Sequence, residues 1–352
     1  MSSLNNQICF NFISCNVWSE GYAPHRPSCV LPSLVPVNAK AQQTALDIFS
    51  ACENNKAGNC PHAIALQECT KPFADHLVIE LNKKINDPNL KYELTHANHK
   101  LSGNFEPRDG LAVLVLMGQG DQIKDRRTAW FPTEKEKERA ALVVDVQFGP
   151  KRLGGKCVRF GSFHADGNPH KPDLGDQQTL NTLSFFNHPE QFGLKKPIQT
   201  PPDCIVFGTD LNQEPNTGRR IQLIQGDGFQ VDTGKGPTER ITVLPKEIDF
   251  VGCKSTHPTQ IFCSRGVNDQ LFIVNGSDHN LILSQLAIEE SRRPEYKIPA
   301  QPPTLTPLPP QVVSHIPAPS SLQSAKGYSA KVILLTAIFM AAVGFLAARI
   351  YR

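Results

Sequence analysis

A chain of 352 residues with 39% hydrophobic content can bury one large core, which fits one folded domain of roughly 290 residues plus a tail. Its formal net charge is +3, but five basic residues and no acid follow Glu295, leaving residues 1–295 with 31 basic against 33 acidic residues, net −2. A near-neutral body excludes the global basic footprint of a protein that holds nucleic acid mainly through phosphate charge, and leaves room only for a local patch.

Short, often β-branched apolar runs predict strands at Ile8–Cys15, Ala63–Leu66, Leu111–Met117, Ala140–Phe148, Cys157–Phe163, Cys204–Phe207, Ile248–Gly252, Gln270–Val274 and Asn280–Ala287. Helical periodicity runs over Ala39–Glu53, where Ala41, Ala45, Ile48, Phe49 and Cys52 share a face, then over Phe73–Lys84, Gln177–Phe186 and Arg219–Gln225. Strands outnumber helices in this alternation. The expected fold is α/β, with two packed, mostly antiparallel β-sheets flanked by helices in a four-layer sandwich. The ten cysteines are scattered without a C-x-x-C pair, as suits free thiols in a reducing compartment. Met1 to Gln7 is polar and uncharged and reads as no secretory signal.

Beyond residue 293 the chain becomes dense in proline, with Pro302-Pro303, Pro307 and Pro309-Pro310, so 294–330 is expected to be an extended linker. Val332 to Ala348 is then uncharged throughout, between Lys331 and Arg349. At about 1.5 Å per residue this run and its flanks reach roughly 27–30 Å, enough to cross a hydrocarbon core when the basic side chains snorkel. Residues 331–352 are therefore expected to form a C-terminal transmembrane helix. A buried core helix is the alternative, and it would need a folded partner beyond the linker. Insertion is expected after synthesis, leaving the 1–293 domain facing the cytosol as a tail-anchored protein.

Five short segments punctuate the predicted strands: Ala65-Leu66-Gln67-Glu68, Gly161-Ser162-Phe163-His164, Gly208-Thr209-Asp210-Leu211-Asn212, Glu247-Ile248-Asp249-Phe250 and Ser277-Asp278-His279-Asn280. Each is a strand-like run that ends in a carboxylate, amide or imidazole. Asp210 and Asn212, two apart on an extended segment, share a face. A sheet that delivers such groups to one rim can hold a hard cation on carboxylate oxygen and handle protons beside it, which is what phosphoester hydrolysis needs. In residue type, order and approximate spacing from residue 8 to residue 287, the chain resembles the endonuclease/exonuclease/phosphatase superfamily, also called the deoxyribonuclease-I-like fold.

The resemblance implies a Mg²⁺ (or Mn²⁺) ion held by Glu68, with Asn16 of Ser14-Cys15-Asn16-Val17 beside it and Asp278 as a second metal-side carboxylate. It implies that His164 contacts the scissile phosphate, that Asp210 acts as base or orients the attacking water, and that Asn212 hydrogen-bonds the phosphate. Asp249 would accept from the imidazole of His279 and favour its protonated form as a cationic donor. The usual family form is Gly-Asp-x-Asn; here Thr209 separates Gly208 from Asp210. Asp210 and His279 are expected on a solvated rim. His96, His99, Arg108, Arg126 and Arg127 flank Asp109-Gly110-Leu111 and read mostly as solvated loop residues, with substrate reading as the alternative. His62 near Cys60 has no second ligand pair at zinc spacing.

The function expected is a metal-dependent phosphoester hydrolase, phosphatase or phosphodiesterase, tethered to a membrane. The anchor and the near-neutral body favour phosphoinositide or sphingomyelin-type head groups, whereas Asp210-Leu211-Asn212-Gln213-Glu214-Pro215 resembles the nuclease and deadenylase branches acting on nucleic acid or nucleotides. Both stay open at this point. A catalytically inactive, membrane-tethered binding module is the alternative of another class, and its mark, missing motif residues, is not seen. No obligate protein partner is expected.

Overall fold

The computed structural model describes residues 7–17, 36–54, 60–100, 109–133, 138–167, 170–193, 201–231, 233, 238–239, 246–256, 261–265, 270–273, 277 and 279–290. In chain order the elements are β1 (Gln7–Asn16), α1 (Val37–Asn54), β2 (Ala63–Gln67), α2 (Lys71–Lys84), β3 (Lys91–Asn98), β4 (Gly110–Met117), β5 (Gln122–Pro132), β6 (Glu138–Gln147) and β7 (Cys157–His164). There follow α3 (Pro172–Asn187), β8 (Cys204–Asp210), α4 (Arg220–Gly226), β9 (Gln230–Val231), β10 (Asp249–Ser255), β11 (Ile261–Arg265), β12 (Gln270–Ile273) and β13 (Asn280–Glu290). Among the described residues no helix is long and apolar enough to cross a membrane. The expected linker and transmembrane helix, 294–352, lie outside the described residues.

One sheet runs in the order β11-β13-β1-β2-β4-β3, with β12 also on β13, and the other in the order β5-β6-β7-β8-β10-β9. Each holds a single parallel pair near its middle, β1 with β2 and β7 with β8, and all other pairings are antiparallel. That topology decides where the site forms. The parallel pairs bring the C-terminal ends of β1, β2, β7 and β8 to one rim, and the antiparallel neighbours β13 and β10 begin there. Asp249, first residue of β10, lies opposite Asp210, last residue of β8.

Strand alternation divides the apolar residues between layers. Phe10 and Phe12 of β1 turn inward to meet Val113, Val144, Phe160 and Val206 between the sheets, whereas Ile13 and Cys15 turn outward against Ala45 and Ile48 of α1 and Leu77 and Leu81 of α2. Leu183, Phe186, Ile221 and Ile224 of α3 and α4 cover the other sheet in the same way. Local signals set the helix ends. Thr70 caps α2, its hydroxyl accepting from the Phe73 amide at 3.3 Å, with a proline in the first turn and Lys83 and Lys84 in the last. The expected four-layer arrangement is the one observed, and Cys15, Cys52, Cys60, Cys69, Cys157, Cys204 and Cys253 are free thiols.

Polar groups pin the two sheets to each other below the rim. The Gln67 side-chain amide donates across the interface to the Ser162 hydroxyl at 3.2 Å, and that hydroxyl donates back to the Leu66 carbonyl at 2.9 Å. Gly208 lets the layers approach: a Cβ there would press on the Ser14 side chain and stand 2.9 Å from Ala65 Cβ. The glycine of Gly-Thr-Asp therefore serves packing. Lower in the second sheet, Arg159 grips Asp145 through two bonds of 2.7 Å and donates to the Phe186 carbonyl at 2.8 Å, with both side chains buried. Asp145→Ala should cost about 3–5 kcal/mol in chemical denaturation, because it leaves a buried guanidinium charge uncompensated. A loss below about 1 kcal/mol would show that water reaches the pair.

Candidate functional site

Asn16, at the end of β1, is the centre of the rim. Its side-chain amide donates to Asp210 Oδ2 at 2.9 Å and to Glu68 Oε1 at 3.3 Å, joining a residue of one sheet to a carboxylate of the other. His164, at the end of β7, brings Nε2 to 3.6 Å from Asp210 Oδ2 and 3.9 Å from Glu68 Oε1. His279 Nε2 stands 4.0 Å from the same Asp210 oxygen, and its Nδ1 lies 2.7 Å from Asp249 Oδ2. A carboxylate accepts, so Nδ1 of His279 carries a proton and its orientation is fixed. The Asn212 backbone amide donates to Asp210 Oδ1 at 2.7 Å, and its side-chain amide lies 2.8 Å from His164 Nε2. Seven of the eight residues expected at the site thus meet in one cluster. The eighth, Asp278, lies outside the described residues.

Two of these positions are bent out of ordinary backbone geometry. Glu68 has φ 49° and Asn212 φ 50°, in the left-handed region. Asparagine tolerates it; for glutamate it costs about 1–2 kcal/mol. The turn at Glu68 is clamped on both sides, by the Val17 amide donating to the Gln67 carbonyl and the Cys69 amide donating to the Gly110 carbonyl, each at 3.0 Å. Each sharp turn aims a side chain inward where a continuing strand would carry it past the rim.

The rim is not solvated as expected. Asp210 is 1% exposed and His279 5%, because the two sheets close over the ends of β8 and β13. Electrostatics follow from that burial. Desolvation, and next the Asp249 carboxylate, push the Asp210 carboxyl up to about 7. Burial also raises Glu68, whereas it holds His164 well below the usual imidazole range, reinforced by the Arg139 charge. His164 is accordingly a neutral group at physiological pH.

Carboxylate oxygens crowded in this way fit a hard divalent cation. Glu68, His164 and Asp210 offer ligand atoms within 4.8 Å of one another, and so do Asp210, Asp249 and His279. Asp249 Oδ1 is buried with no hydrogen-bond partner among the described residues, as expected of a group awaiting a charge or a water.

Other polar residues fall out differently. Arg126 is exposed and pairs with Glu93 on the neighbouring sheet edge, and Arg127 is buried against Asp125 and the Pro189 carbonyl, so neither reaches the rim. His96 Nε2 lies 2.8 Å from the Cys69 carbonyl. His99 is not the solvated loop residue expected: it is buried, its Nδ1 accepts from the Ala140 amide at 3.0 Å, and its ring centroid lies 6.3 Å from that of His164. Arg108 lies outside the described residues. His62 Nδ1 accepts from the Asn11 amide at 3.2 Å, a structural bond.

No family model matches the sequence, and no curated protein matches it. Solved structures do match. That of ANGEL2, a 2′,3′-cyclic phosphatase, covers 80% of this chain and 96% of its own, with a TM-score of 0.55 and 12% identity. That of the human Nocturnin catalytic domain with bound sulfate anion covers 82% and 100%, with a TM-score of 0.50 and 11% identity. Both are proteins of the endonuclease/exonuclease/phosphatase superfamily. This chain has the deoxyribonuclease-I-like fold of that superfamily. In this deoxyribonuclease-I-like fold the site also has supports that the motifs did not reveal. Arg139 Nη1 lies 2.8 Å from His164 Nδ1. The Ser277 hydroxyl donates to the Asn16 carbonyl at 2.6 Å and accepts from the His279 amide at 3.1 Å, while the Thr238 hydroxyl accepts from the Ile248 and Asp249 amides, each at 2.9 Å. Ser277 was visible as the head of Ser-Asp-His; Arg139 and Thr238 carry no local signal.

Proposed function

We propose that this chain is a divalent-metal-dependent phosphoester hydrolase acting on a nucleotide or nucleic-acid phosphate ester. The observation that carries the reading is the Asn16 amide joining Glu68 to Asp210, with His164 and His279 both closing on Asp210 Oδ2. Glu68 would hold Mg²⁺ or Mn²⁺, with Asn16 beside it and Asp278 assigned by sequence as a further ligand; bound there, the cation would neutralise phosphoryl oxygen charge. Asp210 takes the proton of the attacking water, for which an acidity near neutral is suited. The Asn212 amide fixes one Asp210 oxygen and leaves the other facing the rim. His279, held by Asp249, and His164 supply donors to the phosphoryl oxygens.

The substrate class rests on the comparison. ANGEL2 has also been solved with adenosine-2′,3′-vanadate, a nucleotide analogue, and this favours nucleotides over the lipid head groups that the sequence favoured. The full chain with Mg²⁺, offered oligonucleotides, adenosine 2′,3′-cyclic phosphate, phosphoinositides and sphingomyelin, should turn over the nucleotide substrates. Turnover confined to the lipids would overturn the assignment. We also propose, from the apolar run Val332 to Ala348, that residues 331–352 tether the enzyme to a membrane with its domain on the cytosolic face. The full chain should then resist carbonate extraction, and recovery in the soluble fraction would refute the tether.

Metal binding and stability are coupled through Asp210. Its folded acidity lies near about 7, against roughly 3.9 for an unfolded aspartate, so the folded state binds more protons between these values. Its contribution to stability is present below the unfolded value and is lost as pH rises to about 7. In EDTA the Tm should fall between about pH 5 and pH 8, and Mg²⁺ should restore far more at pH 8 than at pH 5. A Tm that is flat with pH in EDTA would contradict this.

A further inference from the structure

Four large apolar side chains are exposed among the described residues. Leu46, Ile79 and Leu180 are aliphatic residues of α1, α2 and α3, where an exposed apolar group is ordinary. Trp130, 38% exposed, lies instead on β5 beside the rim. It pairs with Ala140 of β6, and the β6–β7 register, which sets Ala141 against Phe163, continues to set Ala140 beside His164. His164 pairs in turn with Asp210, and Asp210 with Asp249. Trp130, Ala140, His164, Asp210 and Asp249 thus form one row across five neighbouring strands. Residues paired across strands share a face, and Ala140 belongs to the layer between the sheets, so the indole leaves its strand on the same side as the groups of the site. Two strand spacings separate Trp130 from His164, roughly 9–10 Å.

The indole is held in place. Its Nε1 donates to the Asn98 carbonyl of the other sheet at 3.1 Å, and the Lys100 ammonium lies 4.2 Å from the ring centroid. Lys100 is itself fixed, because its backbone exchanges two 2.9 Å bonds with Glu138 and its ammonium lies 2.8 Å from Glu138 Oε2. The cation takes one face of the ring and leaves the other. An aromatic group ordered before its ligand arrives offers stacking area at little entropic cost.

We infer that Trp130 is a nucleobase-stacking platform, on which the base of a nucleotide joined to the scissile phosphate lies against the indole face opposite Lys100. The inference deepens the nucleotide reading above and rests on it. Every base has a π-face, whereas inositol and phosphocholine head groups have none, so the platform selects nucleotides without reading their sequence.

The test measures binding to the full chain carrying Asp210→Asn, in Mg²⁺, so that the strand stays intact. Single-stranded oligodeoxyadenylate is compared with an abasic strand of equal length and charge. The adenylate should bind more tightly than the abasic strand and quench indole emission. Trp130→Ala should weaken adenylate binding by about 5–150-fold, toward the level of the abasic strand. Trp130→Phe, which leaves Trp18 as the remaining tryptophan, should lose the quenching yet keep most of the affinity. Equal Kd for the two strands, or an unchanged Kd in Trp130→Ala, would overturn the inference. So would quenching that survives undiminished in Trp130→Phe, which would place the contact at Trp18, or a loss of affinity in Trp130→Phe as great as in Trp130→Ala, which would mark the bond to Asn98 and not the ring face as the cause. Should Trp130→Ala fail to fold, the comparison of the two strands and the Trp130→Phe emission decide. Base-dependent binding without hydrolysis of any phosphoester would sink the hydrolase reading alone, and hydrolysis with both strands bound equally would sink the platform alone.

Discussion

Asp210→Asn is expected to lower kcat by about 10²–10⁴-fold while leaving the fold intact. The substitution keeps an oxygen that can accept from Asn16 or from the Asn212 amide, so the cross-sheet geometry survives. It removes the proton acceptor for water and one negative charge from the crowded rim. Because burial and Asp249 already disfavour that charge, Tm at pH 8 in EDTA should hold or rise. Near wild-type turnover in Asp210→Asn would place the base elsewhere. A collapsed Tm would show that the carboxylate is a structural anchor.

Glu68→Gln should be the other severe loss, of about 10³-fold or more, by removing the carboxylate that best fits the cation and hence the charge neutralisation it supplies. The two variants separate by their response to metal. Glu68→Gln should lose most of the Mg²⁺-induced rise in Tm, and a partial recovery of rate is expected at high Mg²⁺. Asp210→Asn should retain more of the Mg²⁺ response. Glutamine at 68 still accepts from Asn16 and still sits in the clamped left-handed turn, so its folding should be unchanged. An undiminished Mg²⁺ response in Glu68→Gln would move the cation to the Asp210, Asp249 and His279 group.

The interior of the fold was legible in the sequence and its borders were not. Strands β1, β2, β4, β6, β7, β8, β10 and β13 are apolar runs that sheet neighbours or helices cover, and the pattern of burial is written in them. The strands it missed, β3, β5, β9 and β11, all lie at sheet edges; β12, which pairs only with β13, is an edge strand that the apolar pattern did find. Lys91–Asn98 and Gln122–Pro132 are rich in charge, as edge strands are when they must not pair with another chain, and a hydrophobic pattern therefore passes over them. The motif residues were legible for a related reason: strand ends that carry a carboxylate, amide or imidazole are punctuated by the apolar run before them. Arg139 and Thr238 act through partners distant in sequence, His164 and Asp249, and nothing local distinguishes them. Burial of Asp210 and His279 was also hidden, since it depends on how closely the sheets meet at Gly208.

On the proposed reading this rim cleaves phosphate esters with the help of a divalent cation. The most direct measurement is the rate at which the purified full chain hydrolyses an oligonucleotide or bis-p-nitrophenyl phosphate in Mg²⁺, and again after transfer to EDTA. Hydrolysis that requires the cation, stops in EDTA, returns on Mg²⁺ addition and is lost in Asp210→Asn is the predicted result. Hydrolysis that persists unchanged in EDTA, or in Asp210→Asn, would contradict it.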